Sequence, residues 1–252
     1  MKGVHSSIPD VQLEISLERS AHRAGAERYR VEHVRLEHGQ SIHEVLCYAN
    51  KFPVGTKGCI DKANIKEMVR LFPEGQFVVV TDTPKGEKVI GLALTMRTDY
   101  APSARPLGWL EMIGDLSLAK HDPEGAWLYG VEKAVHPEYQ GRGVASALYK
   151  AQFALAERLR LKGMYAGGML KGYESYRERL SVRAYAGKVM RGEVFDPTVS
   201  MQMRRGFKPR TVIENYAWDR QADHTGMLIV WERPGAAPAE RPASRPEARL
   251  QR

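Results

Sequence analysis

Val135-His136-Pro137-Glu138-Tyr139-Gln140-Gly141-Arg142-Gly143-Val144-Ala145-Ser146 joins a β-rich run at 127–136 to an Ala/Leu-rich stretch at 144–162. Two glycines in three residues let the backbone turn tightly and bring successive N–H groups together. The helix after it presents the positive end of its dipole to the same turn, so a pyrophosphate fits there. The turn is not a Walker loop, because no Gly-Lys-Ser/Thr comes after it. Nor is it a Gly-x-Gly-x-x-Gly dinucleotide fingerprint, because Ser146 stands where the third glycine belongs.

Working outward, Val144 to Lys162 reads as an amphipathic helix with Leu148, Ala151, Leu155 and Leu159 on one face, stopped by Gly163 and succeeded by a strand over Met164 to Leu170. Upstream, Gln76 to Asp82 and Lys88 to Thr98 flank a Pro/Gly turn and form an antiparallel hairpin. Before them come a strand over Arg28 to Arg35 and two helices. Ile42, Val45 and Leu46 share a face of the first, with Ser41 and Glu44 as a capping box. Asp61 caps the second, which Pro73-Glu74-Gly75 ends.

The 252 residues carry 38 Lys plus Arg against 30 Asp plus Glu, a net +8 with a pI of about 9.4. Hydrophobic residues make up 43%, which excludes wholesale disorder, a collagen repeat or a disulfide scaffold. No apolar run reaches membrane-spanning length, and the start lacks the apolar core of a secretory signal, so a soluble, cytoplasmic chain is expected. Cys47 and Cys59 are read as buried or incidental thiols, and the histidines show no metal spacing, so no metal is expected. Residues 1–26 read as an arm, 27–233 as one domain, and the Pro/Ala/Arg-rich 234–252 as a disordered tail.

The glycine turn, in its place between strand and helix, resembles the acetyl-CoA loop of the GCN5-related N-acetyltransferases (GNAT). The order of elements is similar too, and Met203-Arg204-Arg205-Gly206-Phe207 resembles the end of the last GNAT helix. The resemblance implies an α/β fold with a mostly antiparallel mixed sheet, splayed between strands 127–136 and 164–170 at the cofactor site. Gly167-Gly168-Met169-Leu170-Lys171-Gly172-Tyr173, Gly192 to Pro197 and Asn215-Tyr216 are similar to the GNAT module fused to nitrilase-type carbon–nitrogen hydrolases. The hydrolase itself is not expected in a chain of this length.

Carried over by residue, the resemblance implies that main-chain groups near Ala134 and Val135 run beside the pantetheine arm of acetyl-CoA. Gln140, Gly141, Arg142, Gly143, Val144, Ala145 and Ser146 hold its pyrophosphate. Direct transfer to an amine needs a base, and Glu132 on the preceding strand is the candidate. Many GNAT enzymes carry a tyrosine acid four residues before the helix-ending glycine, where this chain has Gln202. Glutamine delivers no proton, so either the thiolate leaves unassisted, or Tyr173 or Tyr176 from the 171–196 insertion serves as acid, or transfer is weak.

Three functions remain open: an N-acetyltransferase acting on a small-molecule or peptide amine, a CoA-binding regulatory or scaffold module, and, from the pI, a nucleic-acid-binding protein. The third ranks last. Residues 138–210 hold 15 Lys plus Arg against six Asp plus Glu, and that surplus suits the polyanionic end of CoA. The 171–196 insertion, helical around 176–189, is expected to cover the acceptor side or to make a homodimer contact. Trp109-Leu110-Glu111 and Phe52-Pro53 suit either the lining of an acceptor pocket or the core, and are assigned to the core.

Overall fold

The computed structural model describes residues 28–236. The expected arm at 1–26 and the tail beyond residue 236 lie outside them. Among the described residues, seven strands form an open sheet in the order β1-β2-β3-β4-β5-β7-β6. They are β1 (Tyr29–His33), β2 (Phe77–Thr83), β3 (Gly86–Thr98), β4 (Trp127–Val135), β5 (Gly163–Met169), β6 (Lys208–Ile213) and β7 (Gly226–Glu232). Neighbours pair antiparallel in β1/β2, β2/β3, β5/β7 and β6/β7. The β4/β5 pair is parallel, with register Trp127↔Gly163 to Tyr129↔Tyr165. Among the described residues six α-helices accompany them: α1 (Gly39–Asn50), α2 (Lys62–Leu71), α3 (Trp109–Ile113), α4 (Val144–Arg158), α5 (Val182–Met190) and α6 (Val199–Met203).

The chain divides into two compact units. Among the described residues, one holds 28–96 with Leu116–Ala119 and Gly130–Leu155; the other holds Arg97–Asp115, Lys120–Tyr129 and 156–236. In the first, α1 buries Ile42, Val45 and Leu46, and α2 buries Ile65 and Met68 at helical spacing. β2 is buried over Phe77 to Thr81, on both of its faces. Each such side chain contributes roughly 1.5–3 kcal/mol relative to an exposed one. Asp61 caps α2 as expected, accepting the N–H groups of Ala63 and Asn64 at 2.8 and 2.9 Å. Ser41 does not cap α1. The helix begins two residues earlier at Gly39, with His38 at its N-cap.

A bulge in β3, opposite β2, reaches the end of β4. Val79 pairs with Gly91 and Val80 with Val89, which leaves Ile90 over. Its carbonyl then accepts the His136 N–H at 2.9 Å, fixing the point where the chain leaves β4.

In the second unit, the insertion is shorter in helix than expected. A 3-10 turn spans Lys171–Ser175, and α5 begins only at Val182, capped by Ser181. The fully buried Asp196 carboxylate accepts the N–H groups of Gly172, Thr198 and Val199 and the Tyr185 hydroxyl, at 2.8 to 3.0 Å. Those bonds satisfy an ion that burial would otherwise penalise by several kcal/mol. The stretch 99–126, read as a connection, contains α3, started by Gly108 and by Glu111 reaching back to the Gly108 N–H.

Candidate active site

All nine residues assigned to the cofactor fall together in the first unit, with Glu132. Ala134 and Val135 end β4, Gln140 to Gly143 form the turn, and Val144, Ala145 and Ser146 open α4. Between them Pro137–Tyr139 makes one 3-10 turn, in which Tyr139 donates to the His136 carbonyl at 2.9 Å. His136 Nδ1 accepts the Glu138 N–H at 3.4 Å, and the Gln140 side chain donates to the Val135 carbonyl at 3.2 Å. The buried Tyr139 ring meets His136 and Tyr29 edge-on. Lys88 and Arg142 lie about its face at 5.0 and 5.1 Å.

Gly141 and Gly143 have φ of +72° and +89°, the left-handed region in which a side chain is strained. Around Gly141 the space is open, so its glycine is required by conformation and not by crowding. The resulting turn places the α4 N-terminus, a 15-residue helix with a favourable dipole for an anion, after two backbone reversals. Burial lowers the His136 pKa, Lys88 lowers it further, and Glu138 opposes them. The neutral imidazole this favours is the form that can accept the Glu138 N–H.

Glu132 is half-buried on β4, where its Oε1 accepts the Lys133 N–H at 3.1 Å. Lys133 itself reaches Gln152 of α4. Tyr173 lies in the other unit. It is buried, its hydroxyl donates to the Leu180 carbonyl at 3.1 Å, and its ring packs near Tyr185. Gln202 is buried on α6 with its side chain over Gly168 of β5, where any added carbon would collide with it.

The second unit also contains a shallow cleft, open to solvent, that no local motif announces. Tyr100, Tyr129, Tyr165 and Tyr216 line it with Met112 and Gly167. Its phenols are tied: Tyr165 donates to the Tyr100 carbonyl at 2.5 Å, and Tyr100 to the Arg105 carbonyl at 2.6 Å. Burial pushes the Tyr165 hydroxyl up, so it stays a donor. These tyrosines come from a loop, two strands and the β6–β7 connection, and only the fold assembles them. Two segments assigned to the core are not there: Leu110 is 54% exposed and Phe52 36%.

Among the described residues, Glu32, His38 and Glu87 bring three metal-type ligand atoms together. Arg35 bonds both carboxylates and Arg30 also bonds Glu87, so the group is an ion-pair network already balanced by guanidinium charge. The basic surplus at 138–210 is likewise redistributed. Of its fifteen cations only Arg142 and Lys150 belong to the unit of the glycine turn. In the other unit Lys171, Arg183, Lys188, Arg191 and Arg210 pair with carboxylates. No helix among the described residues is long and apolar enough to cross a membrane.

Residues 47–171 match the model of the Acetyltransferase (GNAT) family. The chain is 33% identical over 161 residues to the Probable hydrolase YhcX of Bacillus subtilis (strain 168), covering 64% of this chain but only 31% of that relative's length. It is 26% identical over 186 residues to the Uncharacterized N-acetyltransferase YkwB of the same organism, covering 74% of this chain and 80% of the relative. A solved structure of the GphF GNAT-like decarboxylase in complex with isobutyryl-CoA shares the fold at a TM-score of 0.63 and 21% identity, over 81% of this chain and 98% of that one. The open seven-stranded mixed α/β sheet is a fold this chain shares with GNAT acetyltransferases, the family whose model residues 47–171 match.

Proposed function

We propose that the chain is a CoA-dependent N-acyltransferase that moves an acetyl group from acetyl-CoA directly to an amine. The observation that carries this reading is the turn at Gly141 and Gly143, whose left-handed glycines lead from β4 into the first turn of α4. The donor set is main-chain N–H with Lys88 and Arg142 nearby, and it suits a pyrophosphate. In this reading Gln140 to Ser146 hold the pyrophosphate, and the main chain at Ala134 and Val135 aligns the pantetheine arm. Bound there, the cosubstrate supplies an activated acyl thioester. Glu132 would take the proton from the ammonium, so that the free amine could attack the thioester carbonyl, the C–S bond breaking as the amide forms and CoA leaving as the thiol.

The buried Gln202 favours one second reading, a CoA-binding module with weak or no transfer, because the side chain over Gly168 has no proton to give. Identity to part of the Probable hydrolase YhcX supports a further proposal, that this module type also occurs joined to a hydrolase. Thiol release from a panel of acyl-CoA esters, acetyl and isobutyryl included, across small-molecule and peptide amines separates the readings. Amine-dependent release supports the transferase. Calorimetric CoA binding without release supports the module, and absence of binding at millimolar CoA overturns both.

A further inference from the structure

We infer that Lys133 and Gln152 are a positioning pair for the glycine turn: they tie β4 to α4, so that the turn between them keeps the shape that receives a pyrophosphate. The inference rests on the reading of that turn as the CoA site. Lys133 lies two residues before β4 ends at Val135, and its ammonium donates to Oε1 of Gln152, well inside α4. The same ammonium lies over the ring of Tyr149, about one turn earlier on the helix. An ammonium only donates, so it fixes the Gln152 amide with its oxygen toward β4. A second contact holds the start of the helix. Val144 and Leu148 pack against Gly91 of β3, where an added Cβ would lie 2.7 Å from Val144 Cγ1 and 3.3 Å from the Ala134 carbonyl. One such contact leaves a helix free to pivot; two, on different turns, do not. Both anchors of Gln140 to Gly143 are then set, because the Ile90 carbonyl already holds His136 where the chain leaves β4.

Stability alone does not account for this pair. Gln152 is fully buried, and its Nε2 meets no acceptor among the described residues. An unpaired buried donor is a cost to the fold that an apolar side chain of similar size avoids. Lys133, half-buried on the strand, adds the desolvation of its charge. Replacing a buried polar pair by matched apolar side chains is commonly neutral or stabilising. A methionine and a leucine in these places should therefore pack at least as well, and what they lose is the directional tie between strand and helix. That tie acts on the cosubstrate only through the turn, by holding the N–H groups that follow Gly141 and Gly143 at the α4 N-terminus.

The test sets calorimetric CoA binding beside urea unfolding of the full chain, for Lys133→Met, Gln152→Leu, the two combined, and Lys133→Arg. The combined variant should unfold at the parent's urea midpoint or above it, yet bind CoA roughly tenfold more weakly. The affinity losses of the two single variants should not add, because either one breaks the same tie. Lys133→Arg keeps a donor and should bind CoA nearly as the parent does. A combined variant that binds CoA like the parent, or that is less stable than the parent, would overturn the inference. Additive affinity losses, or an arginine variant as weak as the methionine one, would do the same. Should a single variant fail to fold, the combined variant and Lys133→Arg decide. The parent measurement keeps the two readings apart: a parent that does not bind CoA overturns the assignment of the turn itself, whereas a parent that binds, with unaffected variants, overturns only the role of this pair.

Discussion

The Tyr216 phenol is bonded on two sides: its oxygen lies 2.8 Å from the Tyr129 hydroxyl and accepts the Gly167 N–H at 3.2 Å. The ring itself covers the faces of Gly167 and Gly226, leaving no room for a side chain at either. Tyr216→Phe keeps the ring and removes both bonds, which should cost about 1–3 kcal/mol in urea unfolding. Gly167→Ala must displace the ring and should cost about the same or more. An alanine variant as stable as the parent would show that the ring does not sit there.

The glycine turn gives a graded prediction. Space is open at Gly141, so alanine and asparagine both fit, but the left-handed backbone costs an ordinary residue about 1–2 kcal/mol and asparagine less. CoA affinity by calorimetry should fall in the order Gly141, Gly141→Asn, Gly141→Ala. Equal affinities would separate the turn from binding.

The depressed pKa of His136 sets the sign of a pH effect. Its folded pKa lies below the unfolded value of about 6.5, so its contribution is fully present above that pH and is lost as pH falls through the folded pKa. Protonation also removes the acceptor for the Glu138 N–H. Thermal stability and CoA affinity should therefore drop on acidification below neutrality. His136→Gln should flatten that part of the profile, and a variant that titrates like the parent would place the effect elsewhere.

Glu132 and Tyr173 should behave differently. Glu132→Gln should lower kcat roughly 100-fold or more with CoA affinity kept, as removal of a general base does. Tyr173 gives its hydroxyl to Leu180 inside the insertion. Tyr173→Phe should cost about 1 kcal/mol of stability and leave the pH profile of turnover in place. A lost alkaline limb in Tyr173→Phe would instead make Tyr173 the acid.

Local signals carried the elements well. The β2–β3 hairpin, the Asp61 cap and the Gly141-to-Ser146 turn were legible because each is settled by residues close in sequence. Ser41 misled because its pattern with Glu44 is a valid cap wherever a helix starts, and packing of the buried Gly39 let this one start earlier. The tyrosine cleft was illegible because its walls lie more than a hundred residues apart in the chain. The glycines at 167 and 168 were visible as a motif, but their reason was not. They make room for Tyr216 and Gln202, which arrive from distant segments.

The position of β7 has a consequence for biosynthesis. This last described strand is inserted between β5 and β6, with seven register pairs to the former. On the ribosome, β5 and β6 therefore emerge with their mutual neighbour still unmade, and each waits with an open edge until residues 226–232 have cleared the exit tunnel. The second unit cannot be assembled progressively from its amino-terminal side. Nascent chains stalled before Gly226 should be protease-sensitive from β5 onward even where the β2–β3 hairpin has already formed.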